Sequence, residues 1–150
     1  MAIVLAPNDY PHQLPVRVRF CETDANGHVS QVSYFIYFEE ARSRLMEALE
    51  FPWFQGEYML VLARQWADYL QPAFFPDRLT VYTAAVEVGR SSLRLVHRLT
   101  RADDPTVLCQ GESTMVLVRQ AEGRSTPWPE TLRRRLDAWL RPHLALPFDR

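Results

Sequence analysis

The sequence predicts an α+β fold in which one long helix packs on a mostly antiparallel sheet of five strands. A strongly apolar helical run over residues 31–49 follows the first predicted strand. Four further segments that read as strands, separated by turn residues, then come in series. This order of strand, helix and four strands favours an antiparallel sheet over a doubly wound parallel one.

The head of the chain, residues 1–14, is rich in proline and is predicted to be irregular. Over residues 16–21, Val16, Val18 and Phe20 alternate with polar or small residues. Alternation of this kind is the period of a half-buried strand, so the first strand is predicted here.

The long helix is predicted over residues 31–49, after a turn at Gly27 and with Ser30 as the N-cap candidate. The apolar residues of its first two turns point in nearly every direction, so this half is predicted to be buried on all sides. They are Val32, Tyr34, Phe35, Ile36, Tyr37 and Phe38. From Glu39 onward the pattern is amphipathic.

The remaining elements follow from alternation and turn residues. Strands are predicted at 58–70, 79–89, 92–101 and 107–119, with turns at 71–77, 89–91 and 102–105. A short closing helix is predicted at 129–141, with an apolar stripe expected to pack on the domain or on a partner subunit. The stripe consists of Leu132, Leu136, Trp139 and Leu140.

Length and composition predict one globular domain over residues 1–150, with 47% apolar and 23% charged residues. A net charge of −1 gives no general field for nucleic acid or an anionic membrane, so neither is an expected partner. Two cysteines, no signal-peptide pattern and no apolar run of membrane-spanning length predict a cytoplasmic protein.

Residues 24–42, DANGHVSQVSYFIYFEEAR, resemble the acyl-CoA thioesterases of the 4-hydroxybenzoyl-CoA thioesterase family, whose pattern is roughly D-x-x-G-H-V-N-N-x-x-Y-x-x-Y-x-E-x-A-R. The matching positions are Asp24, Gly27, His28, Val29, Tyr34, Tyr37, Glu39, Ala41 and Arg42. Ser30 and Gln31 replace the paired asparagines. Residues 68–95 and 126–136 resemble the second and third strands and the closing segment of the family.

The resemblance implies a hotdog fold, in which a curved antiparallel sheet wraps a long central helix. It implies hydrolysis of a small or medium acyl- or aroyl-CoA to free acid and CoA. It also implies a homodimer or homotetramer with the site between subunits. No cofactor is implied beyond the CoA of the substrate itself.

Thioester hydrolysis needs a carboxylate, acting as nucleophile or general base, and donors for the oxyanion. Asp24 supplies the carboxylate, and the amides of Val29, Ser30 and Gln31 are candidate donors at the positive end of the helix. We expect the apolar helix to bury this start, which would make the site dry. Spacing alone also fits a capping role for Asp24; the resemblance identifies it as catalytic.

Other residues near the helix start have two interpretations each. His28 either orients the thioester or makes a structural hydrogen bond. Tyr34 either lines the acyl pocket, together with Gly27, or belongs to the core or a subunit interface. Metal binding by Asp24 and His28 is disfavoured, because no further ligand stands at a suitable spacing.

Glu39 and Arg42 are three residues apart and are predicted to pair on one face of the helix. Glu39 and Glu40 are the reserve candidates for the catalytic carboxylate, because some hotdog thioesterases carry it on the central helix. The turn of Arg90, Ser91 and Ser92 either binds the phosphates of CoA or is a solvated hairpin. Three arginines at 133–135 are predicted to form a solvated helix face, with CoA contact as the alternative.

Of three rival functions, the first two remain open at this point. An acyl-carrier-protein thioesterase would need a docking surface in place of a nucleotide pocket. A non-catalytic hotdog protein would bind acyl-CoA without turnover, and such sensors normally carry a DNA-binding segment that this chain lacks. A dehydratase would need an Asp/His pair aimed at a hydroxyacyl chain, which cannot be assembled beyond Asp24 and His28.

Overall fold

The computed structural model describes residues 2–148 and contains one sheet and two α-helices. The helices are α1 (Gln31–Ala48) and α2 (Glu130–Ala138). The strands are β1 (His12–Arg17), β2 (Tyr58–Tyr69), β3 (Arg78–Val88), β4 (Ser92–Arg101), β5 (Asp104–Arg119) and the short β6 (Arg124–Ser125). The order across the antiparallel sheet is β1-β3-β4-β5-β2, with β6 paired to β5. The predicted α+β hotdog arrangement is confirmed.

The first strand is displaced from its predicted position. β1 spans His12–Arg17, so the prediction of a strand at 16–21 is wrong beyond Arg17, and residues 12–14 are not irregular. Pro15 is tolerated because β1 is an edge strand, which needs only part of its amides for the ladder. The chain then forms a 3₁₀ turn at Phe20–Glu22.

Helix α1 begins and ends within a residue of its predicted bounds, and Ser30 occupies the N-cap position without a side-chain cap hydrogen bond. Its inner side is buried against the sheet. However, Val32 is 58% and Ile36 is 50% exposed, so the prediction that the first half is buried on all sides is wrong for the single chain. The reason is geometric, because one curved sheet covers only one side of a helix.

A buried polar network lies between α1 and the sheet. Arg42 donates from Nη1 to the side-chain oxygen of Gln65 at 2.9 Å, and the hydroxyl of Ser113 donates to the same oxygen at 3.0 Å. The single hydroxyl hydrogen of Ser113 is used in this bond, so His97 Nε2 must donate to the Ser113 oxygen at 3.0 Å. The other ring nitrogen, Nδ1, accepts from the Thr83 hydroxyl at 3.1 Å.

The ring of His97 is fully buried and stacks on Phe38 of α1, with ring centroids 4.7 Å apart. Burial lowers the pKa of His97 to about 3, and the nearby positive charge of Arg42 acts in the same direction. His97 is therefore a neutral structural group that ties the middle of the helix to three strands.

The outer face of the sheet is covered by segments near both ends of the described chain. Leu5 and Tyr10 pack there with Leu144 and Leu146. Helix α2 packs at one end of the inner core, where Leu132 and Leu136 are buried and Trp139 and Leu140 are partly buried. The predicted stripe thus packs on the domain itself. None of the described helices combines the length and apolarity that crossing a bilayer requires.

Candidate active site

A cavity of about 290 Å³ lies where the start of α1 meets the end of β2. Five of its lining residues were singled out from the sequence: Asp24, His28, Val29, Gln31 and Tyr34. The others are Tyr69, Leu70, Gln71 and Pro72. Gly27 and Ser30 lie in the same turn, between these residues in the chain. The fold therefore brings the whole first group of predicted site residues to one place.

Asp24 has one carboxylate oxygen bound and one free. Its Oδ1 accepts from the amide of Asn26 at 2.8 Å and from the amide of His28 at 3.3 Å. Its Oδ2 has no hydrogen-bond partner among residues 2–148. The capping role and a chemical role are therefore compatible, because each can use a different oxygen.

The turn after Asp24 depends on Gly27, which has φ of +76°, a conformation that costs other residues energy. The Gly27 amide donates to the Asp24 carbonyl at 3.0 Å, and the Asp24 amide donates to the His28 carbonyl at 2.8 Å. These two bonds close the turn and fix the direction of the Asp24 side chain relative to the helix start.

The free amides at the helix start differ from those expected. Val29 donates to the Ala73 carbonyl and Ser30 donates to the Glu22 carbonyl, each at 2.8 Å. Neither amide is therefore available to a substrate. Among the described residues, the amides of Gln31 and Val32 have no acceptor, as expected for the first turn of a helix. Of the three predicted donors only Gln31 remains, and Val32 joins it.

His28 is half-buried, and its ring packs edge-on against Phe74 at a centroid distance of 5.0 Å. Tyr34 is buried, and its hydroxyl accepts from the amide of Ala73 at 3.3 Å. Burial raises the pKa of Tyr34, so its hydroxyl stays protonated. Tyr34 is thus a core residue with one side on the cavity. A place in the core and a place on the wall of an acyl pocket are therefore compatible for this residue.

Tyr69 is a cavity residue that the sequence did not single out. Its hydroxyl donates to the carbonyl of Gln31 at 3.2 Å, and its ring packs edge-on against Tyr34 at 5.4 Å. The sequence places Tyr69 near the end of a strand but gives no register that would bring it to the helix start. Only the pairing of β2 with β5 establishes this position.

The site is open in the single chain. Asp24 and Gln31 are exposed, and so is Val32 beside them. The expectation of a dry helix start is therefore not met by one chain alone. Exclusion of water would require the substrate, a second copy of the chain, or both.

The second group of predicted site residues, Arg90, Ser91 and Ser92, lies elsewhere. Ser92 pairs with Val116, which pairs with Val61 of β2. Val61 is eight residues from Tyr69, which corresponds to about 26 Å along an extended strand. The single chain thus does not bring the Arg90 turn to the cavity of Asp24.

Several charged residues on the two helices are engaged within the chain. Glu39 pairs with Arg42 at 3.4 Å, as predicted, and Glu40 pairs with Arg44 at 3.7 Å. Arg133 donates to the carbonyls of Val88 and Gly89. Arg134 pairs with Glu130 on the same helix. Arg135 pairs with Glu50 and donates to the Leu49 carbonyl. The first and third of these arginines attach α2 to the rest of the domain and are more than a solvated face.

The family model described as the thioesterase-like superfamily matches residues 18–136. The chain belongs to this superfamily. The resemblance drawn from residues 24–42 is confirmed by this match, and with it the predicted enzyme class, a thioester hydrolase.

The curated relatives with activities in their names include two kinds of CoA-thioester hydrolase. A 1,4-dihydroxy-2-naphthoyl-CoA hydrolase of Synechococcus elongatus is 30% identical over 129 residues, which is 82% of this chain and 90% of that protein. The acyl-CoA thioester hydrolase YbgC of Escherichia coli is 28% identical over 123 residues, which is 79% of this chain and 90% of that protein.

Solved structures agree with the fold. A Thermus thermophilus thioesterase in complex with coenzyme A and Zn has a TM-score of 0.77 and 32% identity, and the match covers 92% of this chain and 98% of that one. The Pseudomonas aeruginosa protein PA2801, a putative thioesterase, has a TM-score of 0.78 and 36% identity, covering 83% and 97%.

Proposed function

We propose that the chain hydrolyses small or medium acyl- or aroyl-CoA thioesters to a free acid and CoA. The observation that carries the proposal is the free carboxylate oxygen of Asp24 at a cavity that Gln31 also lines, together with the two free amides at the α1 start. A nucleophile or base next to preorganised donors is the minimum that acyl transfer requires. The CoA-bound Thermus relative, at 32% identity, supports CoA as the carrier.

In this mechanism the amides of Gln31 and Val32 donate to the thioester oxygen and stabilise the charge that develops on it. Asp24 Oδ2 either attacks the carbonyl carbon, giving an anhydride that water then opens, or removes a proton from the attacking water. In both routes the C–S bond breaks and CoA leaves as a thiolate that takes up a proton. His28 and Tyr34 border the acyl group.

The proposed active form is a homodimer in which two β2 strands pair. β2 is an edge strand and exposes Met59, Val61 and Leu62. Antiparallel pairing about a two-fold axis would bring the Tyr58 end of one β2 beside the Tyr69 end of the other. The Arg90 turn of the partner subunit would then approach this chain's Asp24, which reunites the two groups of predicted site residues. A homotetramer would be a pair of such dimers.

We also propose a cytoplasmic location. Both Cys21 and Cys109 are free thiols, and Cys21 is exposed. Free thiols fit a reducing compartment.

The test is a panel of CoA thioesters, from acetyl to octanoyl and benzoyl, assayed for free-thiol release, with light scattering to give the oligomeric state. The proposal expects turnover of at least one member by a dimer or tetramer. Turnover of acyl-carrier-protein thioesters alone would favour that rival. Binding of acyl-CoA without thiol release would favour a non-catalytic protein, and a monomer that hydrolyses thioesters would remove the intersubunit site.

Substitution of Arg90 tests the proposed contact with the nucleotide part of CoA separately from the chemical step. If Arg90 meets a phosphate of CoA, Arg90→Ala should raise KM for acyl-CoA about fivefold to tenfold and leave kcat nearly unchanged, because ground and transition states share the contact. The N-acetylcysteamine thioester of the same acyl group lacks the nucleotide and should show no change. Arg44→Ala, which removes another exposed arginine, is the control. An equal KM for both enzymes on acyl-CoA would assign Arg90 to solvent.

A further inference from the structure

Tyr69 connects two elements that the reaction needs in a fixed relation. It is the last residue of β2, and its hydroxyl donates across the cavity mouth to the carbonyl of Gln31, the first residue of α1. Its ring is held edge-on against the buried ring of Tyr34. The side chain is 48% exposed and lines the same cavity as Asp24.

The carbonyl that Tyr69 contacts belongs to the same peptide unit as the amide of Val32. A peptide whose oxygen accepts a hydrogen bond becomes a stronger donor at its nitrogen, because hydrogen bonds in a chain polarise one another. The Val32 amide is one of the two first-turn donors that have no acceptor among residues 2–148. The Tyr69 hydroxyl therefore acts on a donor of the proposed oxyanion site without touching the substrate carbonyl.

We propose that Tyr69 is a positioning residue for thioester hydrolysis, which fixes and polarises the Gln31–Val32 peptide so that its amide meets the developing oxyanion. The inference rests on the proposed function, since it assigns the helix start to the oxyanion. The start of α1 is already held by the Glu22 carbonyl, which accepts from the Ser30 amide at 2.8 Å and from the Ser33 hydroxyl at 2.9 Å, but neither bond engages the Gln31–Val32 peptide. Tyr69 supplies an anchor from outside the helix.

The first measurement is steady-state kinetics of Tyr69→Phe, which removes the hydroxyl and keeps the ring packed on Tyr34. We expect kcat to fall about fivefold to tenfold with KM changed less than twofold, because the lost interaction strengthens only as charge develops. Tyr10→Phe is the matched control: it removes a hydroxyl bonded to Arg98 on the outer face of the sheet. It is expected to lower stability and leave kcat unchanged.

The second measurement does not need turnover. Benzoyl-CoA labelled with ¹³C at its carbonyl is bound to Asp24→Asn, and the carbonyl stretch is read by difference infrared spectroscopy. Donation from the helix start should move this band below its position in free benzoyl-CoA. The shift should shrink in the double variant Asp24→Asn/Tyr69→Phe.

The outcomes distinguish failure of the Tyr69 role from failure of the proposed thioesterase function. If wild type turns over CoA thioesters but Tyr69→Phe keeps its kcat, or loses kcat with no change in the band, the role of Tyr69 is overturned and the function stands. If wild type binds CoA thioesters of the panel but turns over none of them, the function fails, and the band of bound benzoyl-CoA alone decides about Tyr69. Absence of both binding and turnover overturns the two together.

Discussion

The start and the middle of α1 each lie beside a histidine with polar neighbours, but only the start is open to water. At the start, Asp24 keeps one free carboxylate oxygen and Gln31 keeps a free amide. In the middle, both ring nitrogens of His97 and the oxygen of Gln65 are fully engaged. The difference teaches that free hydrogen-bonding capacity, more than residue type, distinguishes a candidate reactive site from a structural one in this fold.

The largest effect is expected from removing the carboxylate of Asp24 at the start of α1. Asp24→Asn should lower kcat by roughly 10² to 10⁴ while fold and oligomer persist. The amide oxygen of Asn can still accept from the amides of Asn26 and His28, so the turn is kept. It cannot take a proton from water at neutral pH or form an anhydride readily. Thiol release, circular dichroism and light scattering measure the three properties.

A variant of Asp24 that kept more than about a tenth of wild-type kcat would make the free oxygen irrelevant to the reaction. The helix start at Asp24 would then differ from the His97 network only in its exposure to water.

The next largest effect is the loss of stability at low pH that the buried His97 is expected to cause. The pKa of His97 is about 3 in the folded protein, chiefly because of burial, against an ordinary value of 6.5. Below pH 6.5 the unfolded chain binds a proton that the folded chain refuses, so this residue destabilises the fold as pH falls from 6.5 toward 3 and has no effect above that window. From pH 7.5 to 4.5 the loss is up to about 3 kcal/mol.

Urea unfolding at the two pH values tests this contribution. His97→Gln should be less stable than wild type at pH 7.5, because a packed ring is lost, yet should lose less stability on going to pH 4.5. Parallel pH dependence in the two proteins would mean that the ring is not held neutral by its surroundings.

The smallest effect is expected at the carboxylate in the middle of the helix. Glu39 is 69% exposed and pairs with Arg42, so Glu39→Gln should cost at most about 1 kcal/mol of stability and change kcat less than about threefold. Chemical denaturation and thiol release give both values. A folded Glu39→Gln variant with almost no activity, beside an active Asp24→Asn, would move the catalytic role onto the helix.

The sequence predicted the long strands well because alternation survives in them. β2, β3 and β4 lie within one residue of their predicted bounds, whereas β5 begins at Asp104, three residues early, so the turn predicted at 102–105 is wrong beyond residue 103. It failed at β1, because proline was taken as a sign of irregular structure, whereas Pro15 sits in an edge strand. Edge position is a property of strand order, which a local pattern does not contain.

For the site, the sequence found the group around Asp24 because it is contiguous in the chain. Tyr69 and the separation of Arg90 from Asp24 depend on sheet register, so they required the structure. The His97 network did leave a signal. His97 is in phase with Leu93, Leu95 and Leu99, all of which are fully buried. A polar residue in the buried phase of a strand predicts a partner on the neighbouring strands.

The hydrogen bonds around His97 also have a direction. Thr83 donates to His97, His97 donates to Ser113, and Ser113 donates to Gln65, while Arg42 donates to Gln65 from the other side. Both series end at one amide oxygen, which has no proton to release. A proton entering this series has no exit, so it cannot serve as a proton wire. Protons exchanged at the helix start are therefore not relayed through this part of the core.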